Sequence, residues 1–278
     1  MSDTKVWYIT GASKGMGLSL VKDLLTQGHS VAATSRSTTA LEAFKSYGDR
    51  FLPLHVDLKN EQSVASSLQQ TLEKFGRLDV VVNNAGYGLG GALEELTSAE
   101  IEENFQVNFF AVVRVIQQAL PYMRKQRSGH IINISSIAGF APGIGWTVYC
   151  AAKFAVSGLS NALVTDLKPL GIHVTNVMPG AFRTNFAEVD SIAYRQRHIE
   201  DYAHLREYHD KISNMSGAQP GDPDKMAAVF LKLVASPNPP MDLFLGSDAF
   251  NRASTRITQL QAQMENWKED TFSTDFTV

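Results

Sequence analysis

The chain has one cysteine, Cys150, in 278 residues. A lone thiol excludes an internal disulfide and suits a reducing compartment, so a cytoplasmic location is expected. Nothing near Cys150 reads as a Cys–His pair, and we read it as a small packing residue rather than a nucleophile. No run approaches the ~20 apolar residues that span a bilayer, and residues 1–10 do not read as a signal peptide. Lys and Arg form no cluster, and the net charge is only −3. No membrane or nucleic-acid partner is therefore expected. His198, His204 and His209 share no metal-ligand spacing with a Glu or Cys, so they read as solvated residues and no metal is expected. Internal repeats and low-complexity segments are missing too. What remains is a chain 44% hydrophobic, which can bury a substantial core, and it reads as one domain over 1–278.

Short apolar runs alternate with helical patterns along the first two thirds. Strands are expected at 5–10, 30–35, 51–56, 78–82, 131–134 and 172–177, with a last one at 241–245. Helices are expected after Gly17, at 62–75, 101–127, from Thr147 to about 170, at 223–235 and at 249–267. This alternation predicts an α/β fold: a doubly wound parallel sheet of about seven strands with helices on both faces, a Rossmann fold. Ligands of such sheets lie beyond the carboxyl ends of the strands.

The first strand runs into Gly11-Ala12-Ser13-Lys14-Gly15-Met16-Gly17 and then a helix. Strand, glycine-rich turn and helix make a dinucleotide cradle, because glycines let the backbone approach a pyrophosphate and a helix N-terminus offers N–H groups. The spacing G-x-x-x-G-x-G could also be a tight turn and no more. Arg36 stands at the end of the second strand, where an acidic residue would bind a ribose 2′-hydroxyl and a basic one would pair with a 2′-phosphate. With Lys14 on the same side, this points to NADP(H) over NAD(H). The alternative is that both are solvated surface charges.

Tyr149 and Lys153 lie four positions apart and share one helix face. A neighbouring ammonium favours phenolate and would lower the tyrosine's pKa, so Tyr149 could give or take a proton at a carbon–oxygen bond. A Tyr with Lys four residues later arises by chance in about 40% of such chains, so the pair gains meaning from its surroundings. Asn108 sits among Phe105, Val107, Phe109 and Val112. It is either buried with hydrogen-bond partners or on the wetter side of its helix, and spacing does not decide between them.

Taken in order, Thr10 to Gly17, Asp57, Asn83-Asn84-Ala85-Gly86, Asn108, Ser135-Ser136, Tyr149 with Lys153, and Pro179-Gly180 followed by Thr184 resemble the short-chain dehydrogenase/reductase family, in its shorter oxidoreductase branch. The resemblance covers roughly residues 5–190; Ala152 departs from it, where many relatives have Ser. It implies an NADP-dependent oxidoreductase acting on CH–OH and C=O groups, a carbonyl reductase or alcohol dehydrogenase, with a catalytic set of Asn108, Ser136, Tyr149 and Lys153. Tyr149 would be the general acid/base and Ser136 would hold the substrate oxygen. Lys153 would tune Tyr149 and hold the nicotinamide ribose. Asn108 would hold a water linking Lys153 to solvent. The implied cofactor set is Gly11, Ser13, Lys14, Gly15, Met16, Gly17, Arg36, Asp57, Asn84, Ala85, Gly86, Tyr149, Lys153, Pro179, Gly180 and Thr184. A homodimer or homotetramer through the Ile101 and Tyr149 helices is also implied. The reading from another class is a non-catalytic NADP(H)-binding redox sensor or interaction module.

Residues 183–217 carry apolar positions at steps of three, four and seven and read as a helical lid over the substrate. Tyr87, Leu89, Phe140, Ile144, Trp146, Phe182 and Phe186 are the expected pocket walls, which suits a small hydrophobic ketone or secondary alcohol. A helix and polar tail at 249–278 close the chain.

Overall fold

The computed structural model describes residues 4–184, 192–194, 197–214 and 217–276. Seven strands, β1 (Val6–Ile9), β2 (Ser30–Ser35), β3 (Phe51–His55), β4 (Val80–Asn83), β6 (Gly129–Ile134), β7 (Ile172–Pro179) and β9 (Asp242–Leu245), form one sheet in the order β3-β2-β1-β4-β6-β7-β9. All its pairings are parallel. The inner strands are unbroken apolar runs because helices cover both faces. On one face α1 (Gly15–Thr26) and α7 (Met226–Ala235) pack with Trp7, Ile9 and Val82; on the other α2 (Glu61–Phe75), α4 (Ala111–Gln126) and α5 (Thr147–Leu167) pack with Tyr8, Val81 and Ile131. The expected doubly wound architecture is therefore present, and chain order reverses between β1 and β4. That reversal is the crevice where such sheets bind ligands.

Three local features depart from the sequence reading. The helix expected over 101–127 is not continuous. It is α3 (Ser98–Phe105), a π-helical turn (Gln106–Phe110) and then α4. Such a turn adds one residue to the helix and re-aims its neighbours, and here it carries Asn108. A second, two-stranded parallel sheet joins β5 (Gly88–Gly90) to β8 (Ile192–Tyr194); neither strand was expected. In the lid region the helix is α6 (Ala203–Asn214), one part of the 183–217 span. Phe186 and Met215 fall outside the described residues. The chain closes with α8 (Ser247–Asn266) and α9 (Lys268–Phe272). Among the described residues, no helix is long and apolar enough to cross a membrane.

Candidate active site

The turn after β1 and the loop after β4 lie side by side. Thr10 fastens them: its hydroxyl accepts from Asn84 N (3.0 Å) and Ala85 N (3.1 Å). The Asn84 side-chain amide donates in return to Thr10 O (3.0 Å) and Gly11 O (3.1 Å). Thr10 belongs to the family-like run, yet its clamping role was not read from sequence. Across the turn, Ser35 donates to Ser13 Oγ at 2.8 Å and ties the end of β2 to the same loop.

These loops wall a cleft of about 420 Å³. Gly11, Ser13, Lys14, Gly15, Met16, Arg36, Asp57, Asn84, Gly86, Tyr149, Lys153 and Thr184 all line it. Gly17, Ala85, Pro179 and Gly180 stand behind this lining rather than in it. The cleft fits a dinucleotide in a way tied to its glycines. Gly15 has a φ of +54°, and a Cβ there would reach Thr184 at 3.5 Å across the cleft. A Cβ on Gly17 would sit 2.5 Å from Gly11 O and 2.6 Å from Asn84 Nδ2. Helix α1 opens at Gly15 with no side-chain cap, so its first N–H groups point where a phosphate is stabilised. Lys14 and Arg36 are exposed on the rim.

At the inner end, Tyr149, Ser136, Lys153 and Asn108 converge. The Ser136 side chain lies beside the Tyr149 hydroxyl and draws its pKa down. Ser136 also accepts from Ala138 N at 3.1 Å. Ser135 faces away, donating to Lys153 O (2.9 Å) and meeting Ser157 Oγ (3.0 Å). Lys153 is buried and donates from Nζ to Ile134 O at 2.9 Å. Its Nζ stands 5.8 Å from the centre of the Tyr149 ring. Gly86 makes this crowding feasible, since a Cβ there would fall 2.6 Å from Asn108 Oδ1 and 3.3 Å from Lys153 Nζ.

Asn108 is fully buried with its partners supplied by backbone. Its amide donates to Tyr87 O (2.9 Å) and Asn104 O (3.1 Å), and its Oδ1 accepts from Tyr87 N (3.1 Å). The question that spacing left open is thus answered: Asn108 pins the loop bearing Tyr87.

The electrostatics differ from the expectation in one respect. Lys153 is not among the groups that lower the Tyr149 pKa. Burial pushes the phenol up to about 12, with the Ser136 side chain opposing. Burial likewise pushes the Lys153 ammonium down to about 8. Both ionised forms are disfavoured because the surroundings solvate charge poorly.

The expected apolar walls are dispersed. Tyr87 lines the cleft. Trp146 packs edge-on against Tyr149, ring centres 6.1 Å apart. Phe140 instead packs against Phe244 (5.1 Å) in a cluster with Ile137 and Ala249. Phe182 pairs through its backbone with Gly221. Leu89 is core, packed with Leu96 and Val148, and Ile144 is exposed. Cys150 is buried with Ala138 and Trp146, where desolvation disfavours its thiolate.

His209, read as solvated, is buried instead; its ring lies 4.8 Å from Trp146. His198 and His204 are exposed. Helix α6 is anchored by Glu95, which is fully buried. Glu95 Oε1 accepts from Ile199 N (3.0 Å) and Arg206 (3.3 Å), and Oε2 accepts from Ala92 N (3.2 Å). Nothing in the local sequence marks this carboxylate, since Ile199 and Arg206 are about a hundred residues away.

Fold and site define a dinucleotide-binding protein of the doubly wound class, with a phenol and an amine buried at the end of its cleft. A family model described as short chain dehydrogenase matches residues 5–193. A 3-ketodihydrosphingosine reductase of Bacteroides thetaiotaomicron is 41% identical over 87% of this chain and 88% of its own length. Retinol dehydrogenase 8 of Bos taurus is 31% identical over 91% of this chain and 83% of its own. A crystal structure of a short-chain dehydrogenase from Streptomyces avermitilis superposes with a TM-score of 0.92 at 33% identity, covering 99% of this chain and 100% of the other. The chain belongs to the short-chain dehydrogenase/reductase family. Its activity is that family's oxidoreductase chemistry on CH–OH and C=O groups, with a nicotinamide cofactor.

Proposed function

We propose that the protein is an NADPH-dependent carbonyl reductase working on a hydrophobic ketone, or in reverse on a secondary alcohol. The observation that carries this is the placing of Tyr149 beside Ser136 at the inner end of the cleft, with buried Lys153 one helical turn on. The nicotinamide, when bound, supplies or accepts the hydride. Tyr149 gives its proton to the carbonyl oxygen during reduction. Ser136 donates a hydrogen bond to the same oxygen and stabilises its developing charge. Lys153 holds the nicotinamide ribose, and Asn108 fixes the loop that borders Lys153. Burial that keeps the phenol protonated suits Tyr149 to donate, which favours the reducing direction.

Lys14 and Arg36 on the rim support NADP(H), because two cations there match a 2′-phosphate. Gly11, Ser13, Gly15 and Met16 hold the pyrophosphate side with Gly17 behind them, and Asp57 stands at the adenine. Asn84, Gly86 and Thr184 line the nicotinamide side, backed by Ala85, Pro179 and Gly180. Two relatives named for a 3-keto sphingoid base and for retinol support a long apolar substrate with one reacting carbonyl or hydroxyl. Tyr87 in the cleft and Trp146 against Tyr149 serve as walls, and residues 183–217 act as a lid on a one-domain enzyme. Phe110 and Phe154 stay exposed on the π-turn and α5, which supports pairing of two copies through those helices.

The test is consumption of NADPH, against NADH, with long-chain β-keto amines and esters, retinal and aryl ketones. Turnover of an apolar ketone with NADPH preferred supports the reading; turnover with NADH alone overturns the cofactor assignment.

A further inference from the structure

Helix α8 begins against the body and ends in solvent. Ala249 and Ala253 in its first turns are buried, packed with Ile137 and Ala141. Every described residue from 261 to 276 is exposed. The apolar stripe nevertheless continues past the edge of the body. Phe250, Ala253, Ile257, Leu260 and Met264 of α8, and Trp267 at its C-terminal cap, recur at alternating steps of three and four. That is the a/d repeat of helices that pair along a seam. Met264 is 73% and Trp267 66% exposed, and Phe272 and Phe276 extend the exposed apolar surface. An apolar stripe of this kind, rimmed by polar residues, marks a surface that another molecule covers.

Charge on the arm says which molecule. Arg252 and Arg256 stand at the body end, beside a groove of about 450 Å³ that they border with Ala141 and Pro142. Glu265, Glu269, Asp270 and Asp275 stand at the far end, opposed there by Lys268 alone. A second copy laid parallel would bring like charges together. Laid antiparallel about residue 262, it brings the acidic end of each arm over the arginines of the other. Ile257 then faces Trp267 and Leu260 faces Met264, the alternation of layers that an antiparallel seam needs.

We propose that residues 250–276 form an antiparallel docking arm for a second copy of this chain, with each acidic end lying along the partner's Arg252–Arg256 groove. This contact is separate from any pairing through α5 and the π-turn, and it does not depend on the substrate or cofactor assigned above.

Light scattering of the full-length protein tests it. Met264→Asp with Trp267→Asp changes only exposed side chains, so the fold, checked by circular dichroism, is retained while the native mass falls twofold. Arg256→Glu alone also lowers the mass, and adding Glu265→Arg and Asp270→Arg restores it. Raising salt weakens the wild-type assembly. An unchanged mass in the Met264→Asp/Trp267→Asp protein overturns the proposal. So does a mass loss that the charge exchange fails to rescue, which would indicate a parallel or purely apolar pairing. Binding of the arm to phosphatidylcholine/phosphatidylserine vesicles with no change in mass would assign the stripe to a lipid surface and overturn it as well.

Discussion

Replacing Lys153 by Met should stabilise the protein at neutral pH while destroying its chemistry. Lys153 is 4% exposed, and burial moves its pKa from 10.5 to about 8. At about 1.4 kcal/mol per decade, holding that ammonium inside costs roughly 3 kcal/mol. Methionine has nearly the same length and no charge to bury. It also forfeits the Nζ–Ile134 O hydrogen bond (2.9 Å), and leaving that carbonyl unpaired costs about 1–2 kcal/mol. The net gain at pH 7 is therefore about 1–2 kcal/mol, or a few degrees in Tm. The pH dependence carries the stronger signature. Between about pH 8 and 10.5 the unfolded chain holds a proton on Lys153 that the folded chain has released. Stability of the wild type thus rises with pH in that window relative to Lys153→Met. The advantage of the variant should shrink from pH 8 upward, vanish at about pH 9 and be fully inverted by pH 10.5, where only the lost hydrogen bond remains. Denaturant unfolding of both proteins at a series of pH values measures the difference. A variant less stable at pH 7, or a gap flat across the window, would refute a buried, solvent-starved ammonium.

Other perturbations probe separate parts of the account. Gly17→Ala drives a methyl onto Gly11 O and Asn84 Nδ2; it should lower Tm and weaken NADPH binding, read by cofactor fluorescence, by about tenfold or more. Arg36→Asp should shift kcat/KM from NADPH toward NADH by about tenfold or more, the worth of one charge-assisted contact, and an unchanged ratio would move the 2′-phosphate elsewhere. Glu95→Gln removes the carboxylate that holds Arg206 and Ile199 N. Breaking a buried pair costs about 3 kcal/mol, so thermal melting should drop and substrate KM should rise as α6 loosens; unaltered values would mean the lid is held by its apolar contacts.

The frame of the molecule was legible because its inner strands are buried on both faces, and such strands are written as unbroken runs such as VWYI and VVVN. Gly11, Arg36, Asp57 and Asn84 could be placed at the cleft because each lies within two residues of the end of such a run. What stayed hidden has a common physical origin. The π-turn at 106–110 leaves the apolar character of its helix intact, so periodicity passes through it. The β5–β8 ladder joins segments a hundred residues apart, one of them Gly-Leu-Gly, with no strand propensity to read. Glu95 and His209 look like surface residues until α6 packs against the body. The Tyr149 pKa was misjudged for the same reason, because spacing reports a neighbour's charge and says nothing of the desolvation that outweighs it.

The central claim is that the Tyr149 hydroxyl delivers a proton to a carbonyl oxygen. It is tested most directly by NADPH oxidation with the best ketone from the panel, comparing wild type with Tyr149→Phe. The account predicts that kcat falls by about a hundredfold or more, as loss of a general acid requires, with NADPH affinity within about twofold because the cradle is untouched. A Tyr149→Phe protein that turns over at the wild-type rate would contradict the claim and leave a cofactor-binding module in its place.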